Sequence, residues 1–441
     1  MKIQHILVIG SGPSALASVT ALMDSKKKFD ITLVDTQSKN NSQNLIGLKS
    51  HFGSTNIYDR SESDITHLNM KPVVWPSGGK GGFSRIWGAV IGEQPSQNFS
   101  SHLKFGRDKD SEYQFTSSGK KILDNYKKNS NPNWQILDHY IAVDPGKCIM
   151  CGLCLTGCPT DAIWNAGNEW SAIKGVSKRD DFRVTRIEIL EEGILVCSSS
   201  GETMKTDAVF MAAGAIASSQ ILMRSNLLPN RLTIKDTRAT FFPALRFPVR
   251  ERGSKFALSQ ISAKINQGKT SESYIQLYPD SRMLDEPIGI HRPILKKIIK
   301  KVWKYFSPFM LSGILYESSE NSPNLVLKMT NTQSFELSKQ NREKNRDYRR
   351  IKRKNIHGIF KDFGIIPLFF LAKKGEAGES YHFGSIKEII DFNSNAQHIP
   401  IRIVDASALP DLVPGPVTDA VMQNAKEIVR NFLKGSDEIS N

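Results

Sequence analysis

The sequence predicts an α/β fold on a doubly wound parallel sheet assembled from separate pieces of chain, and three segments predict it. The first is a strand, glycine turn, helix and second strand within residues 6–35. The second runs from Asp207 to Ser218, an apolar strand leading into a turn of small residues. The third is Arg402 to Ser407, another strand end, followed by a helical stretch from about Thr418 to Leu433.

Ile6-Leu7-Val8-Ile9 is apolar at every position, which suits a parallel strand buried on both faces. Gly10-Ser11-Gly12-Pro13-Ser14-Ala15 opens a helix that runs to about Met23, and Ile31 to Val34 is the second strand, ending at Asp35. In this G-x-G-x-x-A turn Gly10 makes the tight bend and Gly12 lets a pyrophosphate approach the backbone. Ala15 lets helix and strand pack closely, and the helix N-terminus faces the phosphates. Asp35 lies 20 residues after Ala15, where an acid accepts a ribose hydroxyl. A bare glycine pattern would be an ordinary turn; strand, helix and acid together specify a Rossmann-like dinucleotide site. The turn opens at residue 10, as in many FAD enzymes. The later segments around Ala213-Gly214 and Asp405-Ala406 suit the returns that close over a flavin.

The chain has 441 residues, of which 39% are hydrophobic and 23% charged. These are globular values for two to three domains and exclude wholesale disorder. The mean hydropathy is −0.33. No apolar run reaches the roughly 18 residues of a spanning helix, so a polytopic membrane protein is excluded. Apolar residues begin at Ile3 and lead straight into the glycine turn, so no cleaved leader is expected. The net charge of +15 calls for an anionic partner: nucleic acid, an acidic substrate or an anionic membrane surface.

Four of the five cysteines form one run, Cys148-Ile-Met-Cys151-Gly-Leu-Cys154-Leu-Thr-Gly-Cys158-Pro159. This C-x2-C-x2-C-x3-C-P spacing is that of bacterial ferredoxins and predicts a [4Fe–4S] cluster. In two-cluster ferredoxins the fourth cysteine of such a run serves the other cluster. No second run exists here, so the fourth ligand is Cys158 itself or the remote Cys197. Cys197 sits in an apolar strand pattern and reads most simply as a core thiol, which favours Cys158. Zinc prefers two separated C-x2-C pairs and fits poorly.

Four segments resemble the glucose–methanol–choline (GMC) oxidoreductase family. They are the N-terminal fingerprint; Gly78-Gly-Lys-Gly81-Gly82-Phe-Ser84-Arg-Ile-Trp87-Gly88-Ala89; Ala212-Ala213-Gly214-Ala-Ile-Ala-Ser218; and Tyr381-His382-Phe-Gly384-Ser385 with Asp405-Ala406-Ser407 and Gly415-Pro416. The resemblance frames residues 1–95, 205–225 and 378–435 and leaves 231–374 without a family motif. It implies that Gly81, Gly82, Ser84, Trp87 and Gly88 hold the flavin. It also implies that the start of the last helix, near Pro416, Val417 and Thr418, faces the flavin ring. His382 matches the family histidine that takes the proton from a substrate hydroxyl while hydride leaves for flavin N5; imidazole suits that role near neutrality. The family's usual second histidine or asparagine is replaced around Gly415-Pro416, with Thr418 or Asn424 as substitutes. Some members carry a similar cysteine-rich segment with no known cluster. That segment continues Gly-Ala-Lys, whereas this chain continues Asp161-Ala162-Ile163, as ferredoxins do.

Residues 291–354 hold 16 Lys and Arg against five acids, most of the chain's excess charge. Within them, 293–306 places Ile294, Leu295, Ile298, Ile299, Val302, Trp303, Tyr305 and Phe306 on one half of a helical wheel and five lysines on the other. A soluble helix would mix Glu with Lys. This profile is that of a helix lying in an anionic membrane surface. No nucleic-acid module is recognisable, so no nucleic-acid partner is expected.

The expected architecture is therefore an FAD-binding domain in three pieces, 1–95, 176–230 and 375–441. An iron–sulfur insertion occupies 96–175, and an antiparallel-sheet substrate domain of the GMC type spans 231–374. The expected activity is an FAD-dependent dehydrogenase acting on a hydroxyl of a saccharide or lipid-linked saccharide. Its electrons leave through the cluster to an external acceptor. The expected location is the cytoplasm, peripheral at the inner face of a membrane. A flavin/iron–sulfur reductase of a lipid double bond and a non-catalytic redox module are the alternatives.

Overall fold

A computed structural model describes residues 3–36, 65–69, 80–92 except 86, 103–105, 117–128, 134–154, 158–246, 257–266 and 272–278. It further describes 309–331, 334–340, 363–368, 371–375, 384–395, 398–412 and 414–438, with single positions elsewhere. His382 and all of 293–306 except Lys301 and Tyr305 lie outside the described residues. Those two are helical and exposed. Among the described residues no helix is long and apolar enough to cross a membrane.

The five-stranded parallel sheet has the order β22-β12-β1-β2-β8, formed by β1 (His5–Ile9), β2 (Asp30–Val34), β8 (Val176–Arg179), β12 (Ala208–Met211) and β22 (Ile401–Ile403). Both faces are covered, as unbroken apolar strands require. Ile6, Val8, Ala208 and Phe210 enter one core, and Leu7, Ile9, Val209 and Met211 enter the other. Helix α1 (Pro13–Met23) has proline in its first turn and lays Ala15, Leu16 and Val19 on the first core. The long C-terminal helix α6 (Thr418–Glu438) packs beside it through Met422, Ala425 and Val429, with Phe432 edge-on to Phe210 at 5.2 Å. Helix α4 (Ala215–Arg224) and helix α5 (Lys387–Asn395) cover the other face. Strand order reverses at β1, so β1, β2, β12 and β22 end on one edge, the place where such sheets bind ligands.

Two small sheets complete this half. One joins β9 (Val184–Ile189), β10 (Ile194–Ser198) and β11 (Thr203–Thr206); the other joins β13 (Arg231–Ile234), β18 (Asn324–Met329), β19 (Phe335–Gln340) and β3 (Ile65–Leu68). The second draws on the segment expected as the substrate domain: Leu232, Leu325, Leu327, Phe335 and Leu337 pack on the core of the parallel sheet.

The antiparallel sheet has the order β20-β14-β17-β16-β15-β6, with β21 also paired to β14. Its strands are β6 (Trp134–Leu137), β14 (Arg238–Arg246), β15 (Ile261–Asn266), β16 (Glu272–Tyr278), β17 (Met310–Glu317), β20 (Ile365–Pro367) and β21 (Lys373–Lys374). β6 comes from the expected insertion but pairs with β15, Ile136 opposite Ala263. Residues of the expected insertion thus take part in the antiparallel sheet. One face of this sheet is apolar: Ile136, Phe242, Ile275, Leu277 and Leu315 pack under Ile122 of helix α2 (Ser117–Lys128) and under Phe360 and Phe363. The other face carries Tyr274, Tyr278 and Tyr316. A third short sheet, β4 (Val90–Gly92), β7 (His139–Ile141) and β5 (Leu103–Phe105), links the two halves.

Candidate functional site

The glycine turn after β1 is built as its sequence requires. Gly10 sits at φ +100°, and an added Cβ would lie 2.5 Å from the Ala212 carbonyl oxygen, so both the bend and the passing β12 exclude a side chain. Gly12 is different. It caps α1 in an extended conformation, and among the described residues no side chain caps that end and nothing beyond its own helix and neighbours lies within 4 Å of where its Cβ would be. Gly12 thus leaves room at the uncapped start of an eleven-residue helix, the arrangement that receives a phosphate.

Asp35 ends β2 beside this turn and accepts hydrogen bonds from the Ser11 hydroxyl and, at 2.7 Å, from the Thr36 N–H. Burial pushes its carboxyl up to about 6 in spite of these donors. A carboxyl with a raised folded-state pKa contributes stability that is present at low pH and lost as pH climbs through that value. Flavin-free protein should therefore lose melting temperature between pH 4 and 6.5, by the shift to about 6. Asp35→Asn should remove that slope; an unchanged slope would assign it to other groups.

Residues Gly81 and Gly82 bring a second loop onto the first. The Gly81 N–H donates to Ser11 Oγ at 3.2 Å, and a Cβ on Gly82 would lie 3.5 Å from Gly12 Cα. Ser84 donates to the Gly81 carbonyl and accepts the Ala166 N–H at 2.9 Å. Trp87 donates its indole N–H to the Trp164 carbonyl at 2.8 Å, within a contact of Trp87, Phe99 and Trp164 rings. The polar atoms of Ser84 and Trp87 are thus directed at residues 164–166.

The other predicted residues meet on the same sheet edge. Gly214 begins α4 at φ +87° with open space beside it, like Gly12, while Ala213 packs on the second core. The Asp405 carboxylate is wholly engaged by the Gly214 N–H at 3.0 Å, the Ser407 N–H at 3.0 Å and the hydroxyls of Ser218 and Ser407. It ties the start of α4 to the end of β22. Ala406 offers its carbonyl to the Ser385 N–H at 2.8 Å, and Gly384 donates to the Lys235 carbonyl at 2.9 Å. Gly384 and Ser385 are therefore pinned against Lys235 and Ala406. Before α6, Gly415 at φ +112° lies under the Tyr274 ring, Pro416 lies against Gly92, and the Val417 carbonyl accepts the Val421 N–H. Asp419 in the first turn of α6 accepts from the Ser96 N–H at 3.1 Å and hydroxyl, and from Asn98 and Gln423. Of the two substitutes considered for a second catalytic residue, Asn424 donates its side chain to the Ala408 carbonyl at 3.1 Å.

The cysteine run forms a closed hairpin. Val143 bridges Ile163, the Asp144 N–H donates to Ala162 at 2.8 Å, and the Trp164 N–H donates to Ala142 at 2.9 Å. Cys148, Cys154 and Cys158 are half-buried against the first core, and Cys151 is exposed. Burial raises the Cys148 thiol, with the charges of Cys158 and Cys151 adding to the shift. Burial also opposes the Cys158 thiolate. Hydrogen bonds from the Thr160 hydroxyl and from backbone N–H groups of Thr160, Ile163 and Ala162 outweigh it and lower this thiol. The Ala162 N–H lies 3.2 Å from the sulfur. Donors aimed at an anionic sulfur are the second shell that iron–sulfur ligands use. Among the described residues no three His, Cys, Asp or Glu side chains gather as a single-ion site. A cubane bonds each thiolate to a different iron, so its ligands stand apart. Cys197 is a core residue in β10, paired with Thr203 and Arg186 in another sheet.

Gly88 and Gly415 meet the second face of the antiparallel sheet, where three tyrosines pack among Leu137, Ala239 and Ile314. Tyr274, Gln276 and Tyr278 alternate along β16, and Tyr316 sits opposite Tyr274. Tyr278 donates to Gln276 Oε1 at 2.8 Å, and its hydroxyl lies 3.2 Å from where a Cβ on Gly88 would be. Burial pushes the Tyr278 and Tyr316 phenols above their ordinary value, so both are neutral hydrogen-bonding groups. His139 is structural: its ring nitrogens meet Ser262 Oγ at 2.6 Å and the Ser259 carbonyl at 2.8 Å, and burial lowers it to about 4. Neither composition nor spacing along the chain assigns a role to these tyrosines, to Ser11 or to Trp170. The period-two Tyr-x-Gln-x-Tyr pattern was the available signal.

The 4Fe-4S binding domain family matches residues 141–164, which span the hairpin. No curated protein matches the sequence. Solved structures do match in fold. Pyridoxine 4-oxidase from Mesorbium loti is 13% identical with a TM-score of 0.65, over 98% of this chain and 99% of that one. An FAD-dependent oxidoreductase from Chaetomium thermophilum is 11% identical with a TM-score of 0.54, over 99% and 100%. Formate oxidase of Aspergillus oryzae RIB40, in a structure concerned with FAD modification, is 11% identical with a TM-score of 0.58, over 99% and 100%. At these identities the likeness shows the fold alone, a parallel sheet beside antiparallel sheets as the sequence leads one to expect.

Proposed function

We propose that the chain is an FAD-dependent dehydrogenase that oxidises a CH–OH group of a saccharide, free or lipid-linked, and passes electrons out through a [4Fe–4S] cluster. The observation that carries this reading is the direct bonding of the cysteine hairpin to the glycine loop. Ala142 bonds Ala89 before the run, and Trp164 and Ala166 bond Trp87 and Ser84 after it. Groups held by the two elements would share one rigid unit. The similar folds named as an FAD-dependent oxidoreductase and as oxidases of pyridoxine and formate support a flavin in the loop.

The residues present fit both groups. Gly10 to Gly12 and the start of α1 would take the pyrophosphate, Asp35 the ribose, and Gly81, Gly82, Gly214 and the residues before α6 the remainder. Cys148, Cys151, Cys154 and Cys158 would hold the cluster. When bound, FAD supplies the acceptor for hydride, and the cluster supplies one-electron exits, which an oxidase would not need. His382 takes the hydroxyl proton, leaving the carbinol carbon free to give up its hydrogen. Tyr274, Gln276, Tyr278 and Tyr316 set neutral donors and acceptors into a roof that also carries Leu137, Ala239 and Ile314, which suits the hydroxyls and the C–H faces of a sugar ring.

Anaerobic mixing with a panel of sugars and apolar alcohols tests the reading. A sugar should bleach the flavin. His382→Gln should slow that bleaching by about 10²–10⁴-fold with flavin content unchanged, the range for a lost general base. An unchanged rate would remove His382 from the chemistry. No bleaching by any alcohol or sugar would leave an electron-transfer module.

A further inference from the structure

We propose that Trp170 and Ser84 are positioning residues that couple loading of the cysteine hairpin to binding of the dinucleotide. The inference rests on the reading that the chain holds both groups, and it goes beyond that reading by linking them thermodynamically.

Trp170 lies just after a short helical turn, α3 (Ala166–Glu169), and is 2% exposed. Its indole N–H donates to the carbonyl of Ser11 at 2.8 Å. Ser11 is the residue between the two fingerprint glycines, and its hydroxyl joins Gly81 to Asp35. Ser84 accepts the first N–H of α3 at 2.9 Å and holds the Gly81 carbonyl. Gly81 and Gly167 pass so closely that an added Cβ on Gly81 would lie 2.7 Å from the Gly167 nitrogen. Residues 164–170 are thus a wall against which the dinucleotide loop is set.

The same wall is continuous with the cysteine hairpin. The Ala162 N–H meets Cys158 Sγ at 3.2 Å, Ile163 bridges Val143, and Trp164 bonds Ala142. Whatever fixes Cys158 fixes Ala162 to Trp164, and these lead directly into Ala166 and Trp170. A loop already ordered by one ligand costs less to order for the next, and such coupling is reciprocal.

The test measures FAD affinity by flavin fluorescence on the whole chain under anaerobic conditions, iron-loaded and iron-stripped. Iron loading should tighten FAD binding about tenfold, what one or two buried hydrogen bonds can transmit. Saturating FAD should tighten iron retention against a chelator by the same factor. Trp170→Phe keeps the ring and loses the donor; Ser84→Ala, made separately, loses the other tie. In each, the loaded-to-stripped ratio should fall toward one at full iron content. A role in stability alone would weaken both states equally and leave the ratio intact, which would overturn the proposal. A ratio of one in the wild-type chain would also overturn it while leaving the function standing. Failure to take up FAD or iron at all would instead remove the functional reading.

Discussion

Gly12→Val is expected to give a folded, colourless protein. The backbone at Gly12 has φ −72° and ψ −176°, an extended conformation that valine adopts readily. Among the described residues no atom beyond its chain neighbours and its own helix lies within 4 Å of the new Cβ, so the described fold loses nothing there. What the isopropyl group fills is the space in front of the α1 N–H groups. Flavin per chain, read from visible absorbance, should fall below a hundredth of the wild-type value, while the thermal melt of flavin-free protein stays put. Gly10→Ala is the contrasting control. Its Cβ meets the Ala212 carbonyl at 2.5 Å in a positive-φ turn, so that variant should lose stability itself. Stoichiometric flavin in Gly12→Val would sink the phosphate assignment.

Cys158→Ser should lose or convert the cluster, and Cys197→Ser should leave it whole. Cys158 is the sulfur toward which Thr160, Ala162 and Ile163 turn their donors, whereas Cys197 is buried in a strand of a different sheet. Anaerobically purified wild-type protein should carry about four irons per chain, the content of one cubane. The Cys158 variant should fall to three or fewer. The reverse pattern would move the fourth ligand to Cys197, and zinc in place of iron would remove the redox role.

What was legible in the sequence was what neighbouring residues decide among themselves. The turn around Gly10 and Gly12, the unbroken apolar strand before it and the spacing of four cysteines are local chemistry, and each stands where expected in the fold. The Asp405 segment was visible as a strand end, but its carboxylate is spent on Gly214, Ser218 and Ser407, almost two hundred residues away in the case of Gly214. The bond between Trp170 and Ser11 spans 159 positions and leaves no pattern along the chain. Strand β6 reads as a short apolar run inside a cysteine-bearing segment, and only the pairing with β15 makes it part of the roof. Strands β18 and β19 likewise alternate as any amphipathic strand does, and which core they face is a tertiary choice. The tyrosines of β16 point to one face by their period, yet what that face covers depends on Gly88 and Gly415 arriving from elsewhere.

The central claim is that dinucleotide loop and cysteine hairpin work as one electron-transfer unit. The most direct measurement is anaerobic addition of a sugar that bleaches the flavin, followed in one sample by visible absorbance and by low-temperature electron paramagnetic resonance of the iron. Flavin absorbance should fall and a reduced-cluster signal should rise together, and Cys158→Ser should abolish the second without the first. Full bleaching of the flavin with the iron signal unchanged at every time would contradict it.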